Sequence, residues 1–91
     1  MRVIVNHLDT QYFDQGHGPL VLCLHGWGDQ TRTFDDLASV LEPQYRVMRL
    51  DLPGFGGTQI PPADWSVADY VQFVAAFIDK LQLEPYSLIG H

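Results

Sequence analysis

Positive charge is scarce in this chain: five Lys and Arg stand against eleven Asp and Glu, for a formal net charge of −6. So few cations leave no basic surface to neutralise phosphates, so nucleic-acid binding lacks its main electrostatic term and an anionic membrane surface lacks its attraction. Cysteine is nearly missing as well. The lone Cys23 excludes an internal disulfide, and its place within LVLCLH marks it as a buried core thiol rather than a nucleophile. Long apolar runs are also absent, because Leu20 to Leu24 and Phe73 to Ile78 fall far short of the ~18 residues of a membrane span. The start, MRVIVNHLDTQ, lacks the apolar stretch of a signal peptide, so a cytoplasmic location is expected. His7, His17, His25 and His91 are scattered, with no ligand spacing to Cys or acidic residues, so no metal is expected.

What is present is ordinary folded-protein sequence. The 46% hydrophobic content is that of a soluble globular domain, and a chain of 91 residues can hide about 60% of its unfolded surface, enough for a thin core. Residues 1–91 read as one segment of a single domain, without repeats or linkers.

RVIVNHL and TQYFDQG are short, partly alternating runs separated at Asp9, which predicts two antiparallel strands. PLVLCLHG is continuously apolar, as expected of a strand buried on both faces of a parallel sheet. Phe34, Leu37, Ala38 and Leu41 then recur at helical spacing, with Thr33 and Asp36 as a loose capping box and Pro43 as the stop. YRVMRLDL is the next strand, followed by the Gly- and Pro-rich loop PGFGGTQIPPADW. Ser66, with Asp69 three residues on, starts a second helix whose apolar stripe is Val67, Tyr70, Val71, Val74, Phe77, Ile78 and Leu81. YSLIG is a last strand. The fold class is α/β: two antiparallel strands, then β-α-β-α-β with parallel strands.

Ligands of such sheets gather beyond the carboxyl ends of the strands. Three motifs sit there: HGWG at 25–28, DLPGFGGT at 51–58, and Gly90-His91. GFGG is no dinucleotide fingerprint, since the next helix begins only near Ser66 and a phosphate could not rest on its first turn. No GK[ST] of a P-loop occurs. The glycines beside Trp27 allow a sharp turn with main-chain N–H groups turned toward a developing negative charge.

Together, in order and spacing, these three motifs resemble the N-terminal part of the α/β-hydrolase fold family, which carries an HG oxyanion loop, a DxPGxGxS/T turn and then a GxSxG nucleophile elbow. The resemblance implies that the Trp27 backbone N–H is an oxyanion-hole donor and that Gly26, Trp27 and Gly28 border the substrate. It implies a structural part for His25, Asp51, Gly54, Gly56 and Thr58, with His25 bracing the loop by hydrogen bonds rather than acting as a base. Gly90 and His91 match the first two positions of the elbow, so His91 is not the triad histidine, and the nucleophile would follow it. The expectation is therefore an N-terminal fragment of a longer enzyme, inactive alone.

The resemblance further implies a small ester-like substrate and no cofactor, with neither nucleic acid nor membrane as partner. HGWG, with Gly28 where epoxide hydrolases and dehalogenases of the family tend to carry proline, favours a serine ester, thioester or carbon-carbon acyl hydrolase. An epoxide hydrolase or haloalkane dehalogenase with an Asp nucleophile is the alternative. A non-catalytic interaction module is the other.

Overall fold

The computed structural model describes residues 1–26, 34–83 and 86–90. Its elements run β1 (Arg2–Val5), β2 (Leu8–Gln15), β3 (Leu20–Leu24), α1 (Asp35–Leu41), β4 (Arg46–Leu50), α2 (Val67–Lys80) and β5 (Tyr86–Gly90). The five strands form a sheet in the order β1-β2-β4-β3-β5. β1 with β2 and β2 with β4 are antiparallel, while β4 and β5 flank β3 in parallel. The chain thus steps from β3 to β4 on one side and returns across β3 to β5 on the other.

Alternation along the strands sorts the core into two layers. On one face Val21, Cys23 and Val47 pack with Phe34 and Ala38 of the α1 segment. On the other, Leu20, Leu22, Met48 and Leu50 pack with Phe73 and Phe77 of α2. Helices therefore cover both faces of β3 and β4, which is why PLVLCL shows no polar alternation.

The hairpin turn differs from the expected one. It falls at Asn6-His7, with φ of 47° and 69°, while Val5 pairs with Leu8 and Asp9 lies inside β2 opposite Ile4. Two consecutive positive φ values mark a two-residue turn whose twist suits a hairpin, and Asn tolerates the left-handed region better than most residues. Asp9 is polar yet in the strand because its carboxylate pairs with Arg2 Nε at 2.9 Å across the hairpin.

α1 starts at Asp35 with Phe34 in the N-cap position and no side-chain cap bond. Thr33, expected to cap it, lies outside the described residues. The helix is instead tied to the sheet by Arg49, only 9% exposed, whose guanidinium donates to Asp35 Oδ1 at 2.6 Å and to Gln15 Oε1 at 3.1 Å. The same group lies 5.1 Å from the Phe13 ring centroid, so the charge is shared between an acid, an amide and an aromatic face.

α2 has the expected capping box: Ser66 N donates to Asp69 Oδ2 at 2.8 Å and Asp69 N to Ser66 Oγ at 3.3 Å. Its stripe divides differently from the expected one. Phe73, absent from that stripe, is fully buried with Phe77, whereas Val67 and Val71 are exposed. Full burial of each Phe stabilises by about 1.5–3 kcal/mol, so the two rings set the rotation of the helix on the sheet.

Candidate functional site at the strand ends

β3 leads directly into His25 and Gly26, and β4 leads into Asp51 and Leu52. The two loop starts are joined by one hydrogen bond, 2.9 Å long, from the Leu52 backbone N–H to His25 Nε2. A backbone N–H can only donate, so Nε2 is the unprotonated nitrogen; Nδ1 then carries the proton and donates to the Gly26 carbonyl at 2.9 Å. Both ring nitrogens are engaged in a side chain only 4% exposed, and the ring meets Phe55 edge-on at 5.5 Å. An imidazole held in this way has no free nitrogen with which to take a proton from a substrate.

Asp51 is 1% exposed, and its carboxylate accepts from Gly57 N at 3.0 Å and from Gln11 Nε2 at 3.1 Å. Gly56, at φ +51°, lies so close that a Cβ there would run into the same carboxylate. This is the physical content of the glycine in DLPGFGG: the loop must fold back onto its own aspartate. Gly54 is exposed on the outside of that loop. Thr58 closes the turn, its hydroxyl donating to Asp51 O at 2.6 Å while accepting from Gln11 N at 2.9 Å.

On the far side of this loop Tyr70 of α2 donates its hydroxyl to Pro53 O at 3.1 Å, and burial pushes the phenol up from its ordinary pKa. Trp65 packs edge-on against Tyr70 at 5.1 Å. Between α2 and β5, Leu24, Leu52, Val67, Val71, Val74 and Leu88 line an open apolar cleft of about 380 Å³ with His25 and Gly90 at its border. A Cβ on Gly90 would meet nothing within 4 Å among the described residues.

Of the residues singled out in the sequence, His25, Gly26, Asp51, Gly54, Gly56, Thr58 and Gly90 are placed at the carboxyl ends of the three parallel strands. Trp27, Gly28 and His91 lie outside the described residues. Gln11, Phe55 and Tyr70 also belong to the site's framework, a role that the sequence does not announce. Gln11 sits in an alternating strand where no local pattern marks it, and only the pairing of β2 with β4 brings it to Asp51. Among the described residues no cluster of His, Cys, Asp or Glu could hold a metal ion. No helix there is long and apolar enough to cross a membrane.

The model of the alpha/beta hydrolase fold family matches residues 19–91, and the chain belongs to that family. It is 36% identical over 93 residues to a serine hydrolase-like protein of Danio rerio, covering 100% of this chain and 28% of that protein. It is 44% identical over 84 residues to a pimeloyl-[acyl-carrier protein] methyl ester esterase of Legionella pneumophila, covering 92% of this chain and 30% of the esterase. An epoxide hydrolase from Vigna radiata superposes with a TM-score of 0.91 at 29% identity, over 100% of this chain and 30% of that one. The chain thus spans about a third or less of the length of these relatives. Its five-stranded mixed sheet with two helices is the N-terminal part of their fold.

Proposed function

We propose that this chain is the oxyanion-loop part of an α/β-fold acyl hydrolase that acts on small ester-like carbonyl compounds through a serine placed after Gly90-His91. The observation that carries this reading is the His25 bridge. By accepting from Leu52 N and donating to Gly26 O, the imidazole fastens the start of the HGWG loop to the turn after β4, at the sheet end where β5 delivers Gly90.

In this reading the serine Oγ attacks the substrate carbonyl as a general base takes its proton and so becomes the general acid of the next step, and the carbonyl oxygen becomes an oxyanion held by the Trp27 N–H and by the N–H following the nucleophile. Collapse expels the alkoxide, which leaves as the alcohol after taking a proton from the general acid, and water later cleaves the acyl-enzyme to the carboxylic acid. His25 braces the loop and exchanges no proton with substrate. Gly28, in place of a proline, and the similarity to a methyl ester esterase favour a carbonyl substrate. The likeness to an epoxide hydrolase supports the second reading, an Asp nucleophile that forms an alkyl-enzyme.

The test is hydrolysis of a short p-nitrophenyl ester by the gene product carrying the elbow after His91. Trp27→Pro, which removes the N–H donor, is expected to lower kcat by about 10²–10³-fold. Full activity in a folded Trp27→Pro protein removes Trp27 from the oxyanion hole. Turnover of an epoxide but not of the ester selects the second reading, and turnover of neither selects an interaction module. The 91-residue chain alone is expected to leave the ester at its uncatalysed rate.

A further inference from the structure

The turn 51–58 makes more hydrogen bonds than a loop closure requires, and they form a chain with a direction. Gln11 N donates to Thr58 Oγ1 at 2.9 Å, and the Thr58 hydroxyl in turn donates to Asp51 O at 2.6 Å. Asp51 O and the Leu52 N–H are the two ends of one planar peptide unit, so a bond that fixes the carbonyl also fixes the direction of the N–H. That N–H donates to His25 Nε2, which leaves the Nδ1 proton for Gly26 O. The Gly26 carbonyl is covalently part of the peptide unit that carries the Trp27 N–H.

We propose that Thr58 is a positioning residue: its hydroxyl orients the 51–52 peptide and thereby sets the His25 tautomer that holds the peptide leading into the Trp27 loop. The catalytic meaning of this relay rests on the hydrolase reading above, but the relay itself does not. Thr58 is 5% exposed, and with one proton and two lone pairs its hydroxyl can receive from Gln11 and give to Asp51 at once. The N-terminal hairpin holds the relay from outside. Arg2 donates to Gly57 O at 2.6 Å and to Gln11 Oε1 at 3.1 Å, and Gln59 N donates to Asp9 O at 2.9 Å. A Cβ on Gly57 would strike the Gln11 side chain, so the loop and β2 lie in direct contact at the first member of the chain.

Thr58→Val keeps the shape and removes the hydroxyl, while Thr58→Ser keeps the hydroxyl and removes the methyl. Both are compared with the wild-type chain at mildly alkaline pH by imidazole ¹⁵N chemical shifts and by amide hydrogen exchange. Wild type and Thr58→Ser are expected to show one His25 tautomer, with Nε2 unprotonated, and a protected Leu52 amide. In Thr58→Val the two ring-nitrogen signals move toward each other and the Leu52 amide exchanges about tenfold faster, while the amides of β3 and α2 keep their protection.

The proposal is overturned if Thr58→Val matches wild type in both readouts. Thr58→Ser being as perturbed as Thr58→Val also overturns it, because the methyl would then be what matters, as does acceleration of all amides by one factor, which would mark plain loss of stability. Should Thr58→Val not fold, Arg2→Ala tests the same relay from the surface: a selective rise of about threefold in Leu52 exchange supports it, and unchanged exchange overturns it. None of these outcomes depends on ester turnover, so the hydrolase reading can fail while the relay stands, and the reverse.

Discussion

Cys23 illustrates how burial decides a residue's chemistry. Its thiol is 1% exposed between Val21 and Val47, and burial raises its pKa while the nearby Arg49 charge partly offsets the rise. A thiol whose folded pKa is raised stays protonated in the native state while the unfolded chain ionises. Its contribution is therefore full below the unfolded pKa, about 8.5, and is lost as pH rises from there through the folded value. Urea denaturation of wild type and Cys23→Ala at a series of pH values should show the wild type losing stability relative to the variant above about pH 8.5. Equal slopes would place the thiol in a more solvated site. That Cys23 is a core residue was legible from its apolar neighbours; that an arginine lies beside it was not, because Arg49 is its partner across the parallel register of β3 and β4.

At the scale of elements, α2 separates what periodicity can and cannot say. Its existence, start and cap are written in Ser66, Asp69 and the spacing of its apolar residues, and they are found where expected. Which part of its broad apolar surface faces the sheet is not written there. Val67, Val71 and Val74 satisfy a helical stripe as well as Phe73 does, but the large rings of Phe73 and Phe77 fill the space over Leu22 and Met48, and the valines turn toward the cleft. Phe73→Ala is accordingly expected to cost about 3–5 kcal/mol, and Val71→Ala less than about 0.5 kcal/mol, in equilibrium unfolding. Similar costs would mean that the helix sits rotated from the orientation described here. The hairpin makes the same point in reverse, since a charged Asp9 resembles a turn residue until its bond to Arg2 of the neighbouring strand is taken into account.

Among the described residues of the molecule, the sheet is well covered over β3 and β4 and poorly covered beside β5. Leu88 is 56% exposed, and with Val67 at 80% and Val71 at 61% it gives the cleft an apolar wall open to solvent. Exposed apolar surface of this kind binds hydrophobic dyes. The 91-residue chain is expected to enhance the fluorescence of anilinonaphthalene sulfonate under native conditions, and the pair Val71→Lys and Leu88→Lys to abolish most of the enhancement without loss of the circular dichroism of the fold. Unchanged fluorescence in the double variant would place the dye elsewhere.

The alternation of elements, the α/β class, the capped second helix and the three motifs are legible in the amino-acid order alone. These depend on local pattern: period-2 and helical spacing, prolines and glycines that break them, and short motifs that keep their order along the chain. The tertiary structure alone decided that His25 is locked at both nitrogens, that Gly56 must admit the Asp51 carboxylate, and that Thr58 links Gln11 of one strand to the peptide after another. The His25–Leu52 and Gln11–Thr58 bonds join residues 27 and 47 positions apart, and Gly56 meets Asp51 only where the loop returns onto its own start. Local pattern registers neither a distant partner nor the path of a loop, so only the folded chain could bring these groups together.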